Sequence, residues 1–542
     1  MADFGEILRN IGEFGLFQKI NLVALCFPNF IQYFTIASLI FIEPDPVRRC
    51  NTDWILSAGP NLTTEEQLNL TLPREDDGSF SRCQMFVPVD WDIDAIREYG
   101  LNETTRCLNG WVYGNMLYET TIITDFDLVC GRGNMVQLLQ SLFMSGLVVG
   151  FLIFGPSAES FGRRRATQIP AVLIFVFSVT TALCPNVYLY LASHFLVGVG
   201  SSVLLIAGTE WIGASKRSWG VGLTQLFGAI GQCALAGLIY LVRNWRLAQL
   251  ISTAPFALVV MFIPESARWL LNRGRTEEAK KLIVKAAAIN KRPIPDSMLN
   301  EVLNHCIMLG RSFPAHCLRH MYNKFSLNLS IFALYFGIGN LGLSVFLTQL
   351  LFGAFEVPST LSSIWLLEIF GRKILFIAVL MIGGVCSMLI LAVPQGYSVA
   401  VTCLAVASRF FMIFAGSVCA VYLQELFPTS VRQTATALGS IAGRIGSIVA
   451  PLLNMLAVYH WVIPIAVLSS INLISGALGL LLPETRKKEL PESADEAERN
   501  RKNSTGPFWN KGRVLGSTTG CTLGQTPAVK VKVIVVGHTN LS

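Results

Sequence analysis

Twelve apolar runs of bilayer-crossing length constrain this chain more than any other feature. They fall at about 20–42, 135–156, 168–186, 187–208, 220–241, 247–263, 325–343, 345–367, 374–393, 397–424, 433–456 and 461–482. A helix needs roughly 20 apolar residues to cross a hydrocarbon core of about 30 Å. The runs do not alternate polar with apolar, as the strands of a membrane barrel do, so they are read as helices. Composition agrees, with 52% hydrophobic and only 14% charged residues, against about 25% charged in a soluble domain. An all-α, multi-spanning membrane protein is expected. The opening residues, "MADFGEILRNIGEFGLFQK", mix charged with apolar side chains and lack the basic–apolar–small order of a secretory signal. The first span is therefore expected to direct the chain to the membrane.

Loop charge sets the expected orientation. Residues 43–134 carry sixteen Asp/Glu and seven Arg, whereas 264–324 carry eleven Lys/Arg and five Asp/Glu. The short turns "ESFGRRR", "GASKRSW" and "EIFGRK" are also basic. Basic loops stay in the cytosol, and short turns report this best. Both termini are thus expected inside and 43–134 outside. The net charge of +7 clusters beside span ends and does not suggest nucleic acid. The outer segment holds Cys50, Cys83, Cys107 and Cys130, with sequons at Asn61, Asn69 and Asn102. Four cysteines and glycosylation acceptors in one polar segment read as a disulfide-tied ectodomain, with three pairings open. No CxxC or Cys/His cluster suggests a metal, and no cofactor is expected.

The chain also repeats itself. "ESFGRRR" (159–165) returns as "EIFGRK" (368–373), and "ASHF" (192–195) returns as "ASRF" (407–410). Glu210 and Arg217 stand seven apart, as do Glu425 and Arg432; "PESAR" (264–268) returns as "PETR" (483–486). Ordered matches at an offset near 215 predict two six-helix bundles related by an axis along the membrane normal, with a cavity between them. The repeated charges are placed at cytosolic helix ends. Gly162 and Gly371 permit tight turns. Glu159 and Glu368 can face the positive end of a helix. Arg163, Arg164, Arg372 and Lys373 can pair with acids such as Glu210 and Glu425. With Arg217, Glu265, Arg268, Glu356, Arg409, Arg432, Glu484 and Arg486 they form a candidate gating network that holds one face shut.

These residues carry a resemblance. The E-x-x-G-R-R/K turns and the "PESARWL" and "PETR" segments resemble the major facilitator superfamily. "GTEWIG", "RNWR", "PESARWLLNRGR", "ELFPTSVRQTA" and the cysteine-bearing first loop narrow the resemblance, over about residues 1–490, to solute carrier family 22. Within it the chain is most similar to the organic anion branch, close to its nicotinate- and urate-carrying members. The resemblance implies twelve helices in two bundles. It also implies alternating access and, in the plasma membrane, exchange of a small organic anion for an internal counter-anion. The chain departs from the family where Glu159 replaces an Asp, where His194 stands for a frequent Arg, and where Thr360 stands for a basic residue.

Arg444, in "IAGRIGSIVAP", leads the binding candidates. A cation in a membrane helix is a functional site by default, and its planar fork can hold a carboxylate by two hydrogen bonds. The resemblance adds that anion carriers have Arg here and cation carriers Asp. The competing reading is an ion pair with Glu356. Ala442, Gly443, Gly446 and Ser447 keep this helix slim. Further candidates to line the cavity are Asn29, Phe30, Gln225, Gln232, Tyr335, Phe336 and Phe352, the aromatics by stacking on flat anions.

Two segments stand apart. In the seventh span "GIGNLG" reads as a turn, leaving about a dozen helical residues, so this helix is expected to be truncated. Residues 506–542 are expected to be disordered, and 276–289 to form a cytosolic helix. The expected domains are a cytosolic N-terminus (1–19), an N-terminal bundle with its extracellular loop (20–263, including 43–134), a cytosolic linker (264–324), a C-terminal bundle (325–482) and a tail (483–542). The expected partners are the bilayer, a small organic anion and a counter-anion. An enzyme is not expected, since no nucleophile–base spacing or phosphate loop appears. Carriage of organic cations or zwitterions, and a non-transporting member of the fold, are the alternatives.

Overall fold

The computed structural model describes residues 10–12, 14–36, 39, 47–76, 78–114, 120–202, 217–256, 265, 267–292, 316–337, 345–394, 397–426 and 429–482. Each apolar run coincides with a helix. In chain order these are α1 (Leu16–Gln32), α2 (Met135–Phe161), α3 (Arg163–Leu183), α4 (Val187–Ser201), α5 (Arg217–Leu241), α6 (Trp245–Thr253), α7 (His316–Phe336), α8 (Val345–Phe370), α9 (Arg372–Leu389), α10 (Ser398–Leu426), α11 (Thr429–Met455) and α12 (Val462–Gly479). Among the described residues eight of them are long and apolar enough to cross a membrane. Of the rest, α4 ends at Ser201 and α6 at Thr253, just ahead of residues outside the description, α1 continues as a 3-10 turn (Tyr33–Ile36), and α7 begins in polar sequence.

α7 corrects the expected start of the seventh span. It begins at His316, nine residues before Phe325, and ends at Phe336. From Phe325 onward it holds the dozen residues read from the sequence. Nine further helical residues, "HCLRHMYNK", precede them on the linker side. Residues 338–342 of the expected turn lie outside the described residues, as do the tail 483–542 and residues 203–208 of α4's apolar run.

Small residues let the helices approach closely. On α11, Gly443 and Gly446 lie against α7, where an added Cβ would meet Asn328 Nδ2 and the Phe325 carbonyl; Gly439 likewise meets His320. The slim face of α11 therefore fits α7, and the Arg444 side of the helix points elsewhere. Hydroxyls link neighbouring helices in each half: Thr181 of α3 donates to Ser193 of α4 at 3.0 Å, and Ser387 of α9 meets Ser408 of α10 at 2.6 Å.

The segment between α1 and α2 is a small domain. Strand β1 (Arg48–Cys50) pairs antiparallel with β4 (Trp111–Tyr113), and β2 (Gln84–Phe86) with β3 (Thr104–Arg106). Disulfides join Cys50 to Cys107 and Cys83 to Cys130, which selects one of the three pairings. Asn61, Asn69 and Asn102 are all exposed. Asp125 anchors this domain to the bundle, accepting from Trp245 Nε1 at 2.8 Å and Arg246 Nε at 2.9 Å. The same guanidinium donates to the carbonyls of Ala182 and Cys184 at the end of α3, where a cation suits the helix dipole. Tyr113 donates to Asp127 at 3.0 Å; burial first, then that carboxylate, push its phenol pKa up. On the opposite side a linker helix (Thr276–Ile289) buries Ile283, Ala286 and Ala287 against Ile11 and Phe17. Asn290 fixes the contact, accepting from the Phe17 amide at 2.8 Å and donating to Gln18 at 2.8 Å.

Candidate functional site

Within the twelve runs the sequence places three formal charges, Glu356, Arg409 and Arg444. Each sits eleven residues from the end of its helix on the side of the disulfide-bonded domain: Val345 of α8, Ser398 of α10 and Met455 of α11. At 1.5 Å per residue that is about 16 Å, near the middle of a bilayer. Three charges at one depth define the centre of the candidate site.

Glu356 pairs with Arg409, not with Arg444. Arg409 Nη2 lies 3.7 Å from Glu356 Oε2, and both side chains are almost wholly buried. This overturns the expected Arg444–Glu356 alternative. It also moves Arg409 from the cytosolic helix ends, where the repeat suggested it belonged, to mid-membrane. Tyr33, at the end of α1, donates to Glu356 Oε1 at 3.2 Å, so the acid is held from both halves of the molecule. Arg409 Nη1 donates to the Ile331 carbonyl of α7 at 3.2 Å. Its guanidinium stands 4.6 Å from the ring centre of Phe352 and 5.3 Å from that of Tyr335. A weakly hydrated guanidinium is well suited to such a ring-lined place. Gln349 completes the cluster, donating to Tyr335 Oη at 3.2 Å.

Arg444 is half-buried, and among the described residues no carboxylate or carbonyl engages it. Ile448, one turn later on the same face, packs in the central core, and its carbonyl accepts from Ser141 of α2 at 3.5 Å. That face of α11 therefore looks toward the N-terminal half. A permanent cation between two bundles, with no protein anion to neutralise it, is chemically a receptor for an anion.

The other candidates divide. Tyr335 and Phe352 are buried around Arg409, so both face a protein cation. Phe336 is half-buried and meets Tyr335 edge to face at 5.6 Å. Asn29 donates to its own helix at the Leu25 carbonyl, and Phe30 packs edge to face on Phe34. Gln225 accepts from Ser417 of α10 at 3.1 Å, a third bond between the halves. Gln232 is buried, and neither its amide nitrogen nor its oxygen finds a partner among the described residues. The sequence reading missed Tyr33 and Gln349. Helical spacing marks both: Tyr33 lies four residues after Asn29, and Gln349 lies seven before Glu356, on one face of each helix.

At the turns between α2 and α3 and between α8 and α9 both glycines adopt positive φ, +95° at Gly162 and +86° at Gly371. Glu265 of "PESAR" accepts from the Arg164 amide at 3.3 Å. A carboxylate of the linker thus meets the positive end of α3. Arg372 Nη1 donates to the Leu367 carbonyl at 3.3 Å, and Lys373 starts α9 beside it. The side chains of Glu159, Arg163, Arg217, Arg268, Glu368, Glu425 and Arg432, and residues Glu210, Glu484 and Arg486, lie outside what the structure describes.

Similarity to known proteins extends over most of the chain. Residues 104–497 match the family model described as sugar (and other) transporter. The chain is 37% identical over 520 residues to human solute carrier family 22 member 13, covering 92% of this chain and 94% of that one. It is 31% identical to mouse solute carrier family 22 member 7, covering 92% and 97%. Its fold is similar to the inward-open xylose transporter XylE from E. coli, with a TM-score of 0.55 at 17% identity over 89% of this chain and 99% of that one.

Proposed function

The chain belongs to solute carrier family 22 and is a secondary transporter of the major facilitator fold, and on that premise we propose that it carries small organic anions, such as nicotinate or urate, across the plasma membrane. Arg444 carries this reading. It is a mid-membrane cation that no protein carboxylate neutralises among the described residues, because the one acid in the spans is committed to Arg409. A cation so placed attracts carboxylates and repels ammonium ions.

Alternating access fits the contacts between the halves. Tyr33 to Glu356, Gln225 to Ser417 and Ser141 to Ile448 are single hydrogen bonds, each of which a rocking motion can exchange. The cytosolic turns, with Glu265 on the start of α3, are the gate in this reading. The carrier works as an exchanger, returning a counter-anion to the same cation, with both termini in the cytosol and glycans on the ectodomain sequons.

Uptake in oocytes tests the proposal with radiolabelled nicotinate, urate and a quaternary ammonium, for the wild type and Arg444→Ala. Anion uptake lost in the variant is the expected result, by at least tenfold at equal surface protein. Ammonium uptake overturns it. The alternative reading is a non-transporting member of the family. Surface protein that moves none of the three solutes supports that one.

A further inference from the structure

The arrangement of the three intramembrane charges carries more than the presence of an anion site. Two cations and one acid at the same depth leave a single net positive charge when Glu356 is ionised. Arg409 is not open for a substrate carboxylate to replace Glu356 freely, since Ile331, Tyr335 and Phe352 enclose it. Its charge is nevertheless felt across the low-dielectric centre, as is that of Glu356. The pair is also loosely made. Its closest approach is 3.7 Å, and neither Glu356 Oε2 nor Arg409 Nε has a hydrogen-bond partner among the described residues. A purely structural lock would use those positions. What the geometry does supply is charge cancellation beside Arg444.

We infer that Glu356, held by Arg409 and Tyr33, sets the charge selectivity of the carrier, making it a carrier of monoanions that rejects dianions of the same shape. One bound negative charge brings the centre to neutrality. A second negative charge makes the occupied site anionic with Glu356 facing it, in a place where water cannot screen the repulsion. Glu356 is thus a specificity-determining residue that need not touch the substrate. The inference rests on Arg444 as the anion's contact.

The probe is an aromatic 1,2-dicarboxylate and its monomethyl ester, two solutes of one shape that differ by one charge. Uptake of each is measured per surface molecule in the wild type, Glu356→Gln, Arg409→Gln and the double variant Glu356→Gln/Arg409→Gln. The wild type is expected to prefer the monoester by about tenfold or more. Glu356→Gln is expected to shift the diacid-to-monoester ratio about tenfold toward the diacid. Arg409→Gln, which lets Glu356 cancel Arg444 instead, loses uptake of both. The double variant has the wild-type net charge and no orphaned ion, and it returns to the wild-type ratio even where a single variant fails to reach the surface. A wild type that carries diacid and monoester alike overturns the inference and leaves the Arg444 reading standing. So does a Glu356→Gln ratio equal to the wild type's. A wild type that carries neither removes the Arg444 reading and this inference with it.

Discussion

The two halves place the same four-residue phrase at the same place and use it differently. In α4, "ASHF" puts His194 between Phe143 and Tyr190, with ring centres 4.8 and 5.2 Å away and near-parallel planes. Neither ring nitrogen finds a partner among the described residues. In α10, "ASRF" puts Arg409 against Glu356, Tyr335 and Phe352. The preceding serine does one job in both, bonding to the neighbouring helix. Duplication thus preserved the packing, while the next residue along decides whether a half is an apolar wall or an ionic one. The cations and the acid all lie in the C-terminal half, and the N-terminal half contributes Tyr33, a neutral donor, to their centre.

The comparison breaks most severely where the ionic half is made to resemble the other. Arg409→His leaves Glu356 buried with Tyr33 as its remaining support. Orphaning one member of a buried pair costs about 3–5 kcal/mol. The expected outcome is a large fall in the melting temperature of detergent-purified protein, largely recovered by adding Glu356→Gln. An Arg409→His protein that melts like the wild type would show that the pair is not a structural element.

The reverse exchange is expected to cost somewhat less. His194→Arg places a permanent cation between two rings, with no acid within the N-terminal spans to meet it. Insertion scales put such a charge at about 2.5–3.5 kcal/mol, and ring stacking offsets part of it. His194→Phe, by contrast, removes two unsatisfied nitrogens while keeping the stack, and should melt at or above the wild-type temperature. A destabilised Phe variant would mean that the imidazole has a polar partner in the membrane after all.

How far the sequence reveals this depends on the range of each interaction. The turns at Gly162 and Gly371 are local, and the residues themselves announce them. The helices are nearly as legible, because apolar length is a local property. Where α7 failed to show its start, the reason is compositional: "HCLRHMYNK" is too polar to read as membrane helix, yet it is helical and lies against α11. The choice of Arg409 over Arg444 as partner of Glu356 is of another kind. It depends on which faces of α8, α10 and α11 meet, and two arginines at one depth look alike in a string. Gln349, Phe352 and Glu356 do share a face at spacings of three and four, a pattern that marks the wall of the site without naming its partner.

The turns offer a smaller, sharper contrast. Both glycines combine positive φ with an extended ψ, a region open essentially to glycine alone, so Gly162→Ala and Gly371→Ala should each destabilise by about 1–3 kcal/mol. At Gly162 the new carbon also stands 2.6 Å from Glu265 Oε2. The carboxylate must then leave the start of α3, so this variant should be the worse of the two for transport at equal surface level. Equal transport defects would argue that Glu265 on the helix end is incidental to the cycle.

The smallest effect tests whether duplication kept the energetics as well as the geometry. Ser193→Ala removes the acceptor of the Thr181 hydroxyl, and Ser408→Ala removes the partner of Ser387. Each serine also donates or back-bonds to a helix carbonyl, Leu189 for Ser193 and Gly383 for Ser408. In membrane helices such side-chain bonds average about 0.6 kcal/mol, because the freed hydroxyl turns to its own helix backbone. Two losses of that size, equal within error in unfolding of the purified protein, mean that the halves diverge only at the residue after the serine. A loss several times larger for Ser408→Ala would instead tie the α9–α10 bond to the ion pair one residue away, making the serine part of what holds Arg409 on Glu356.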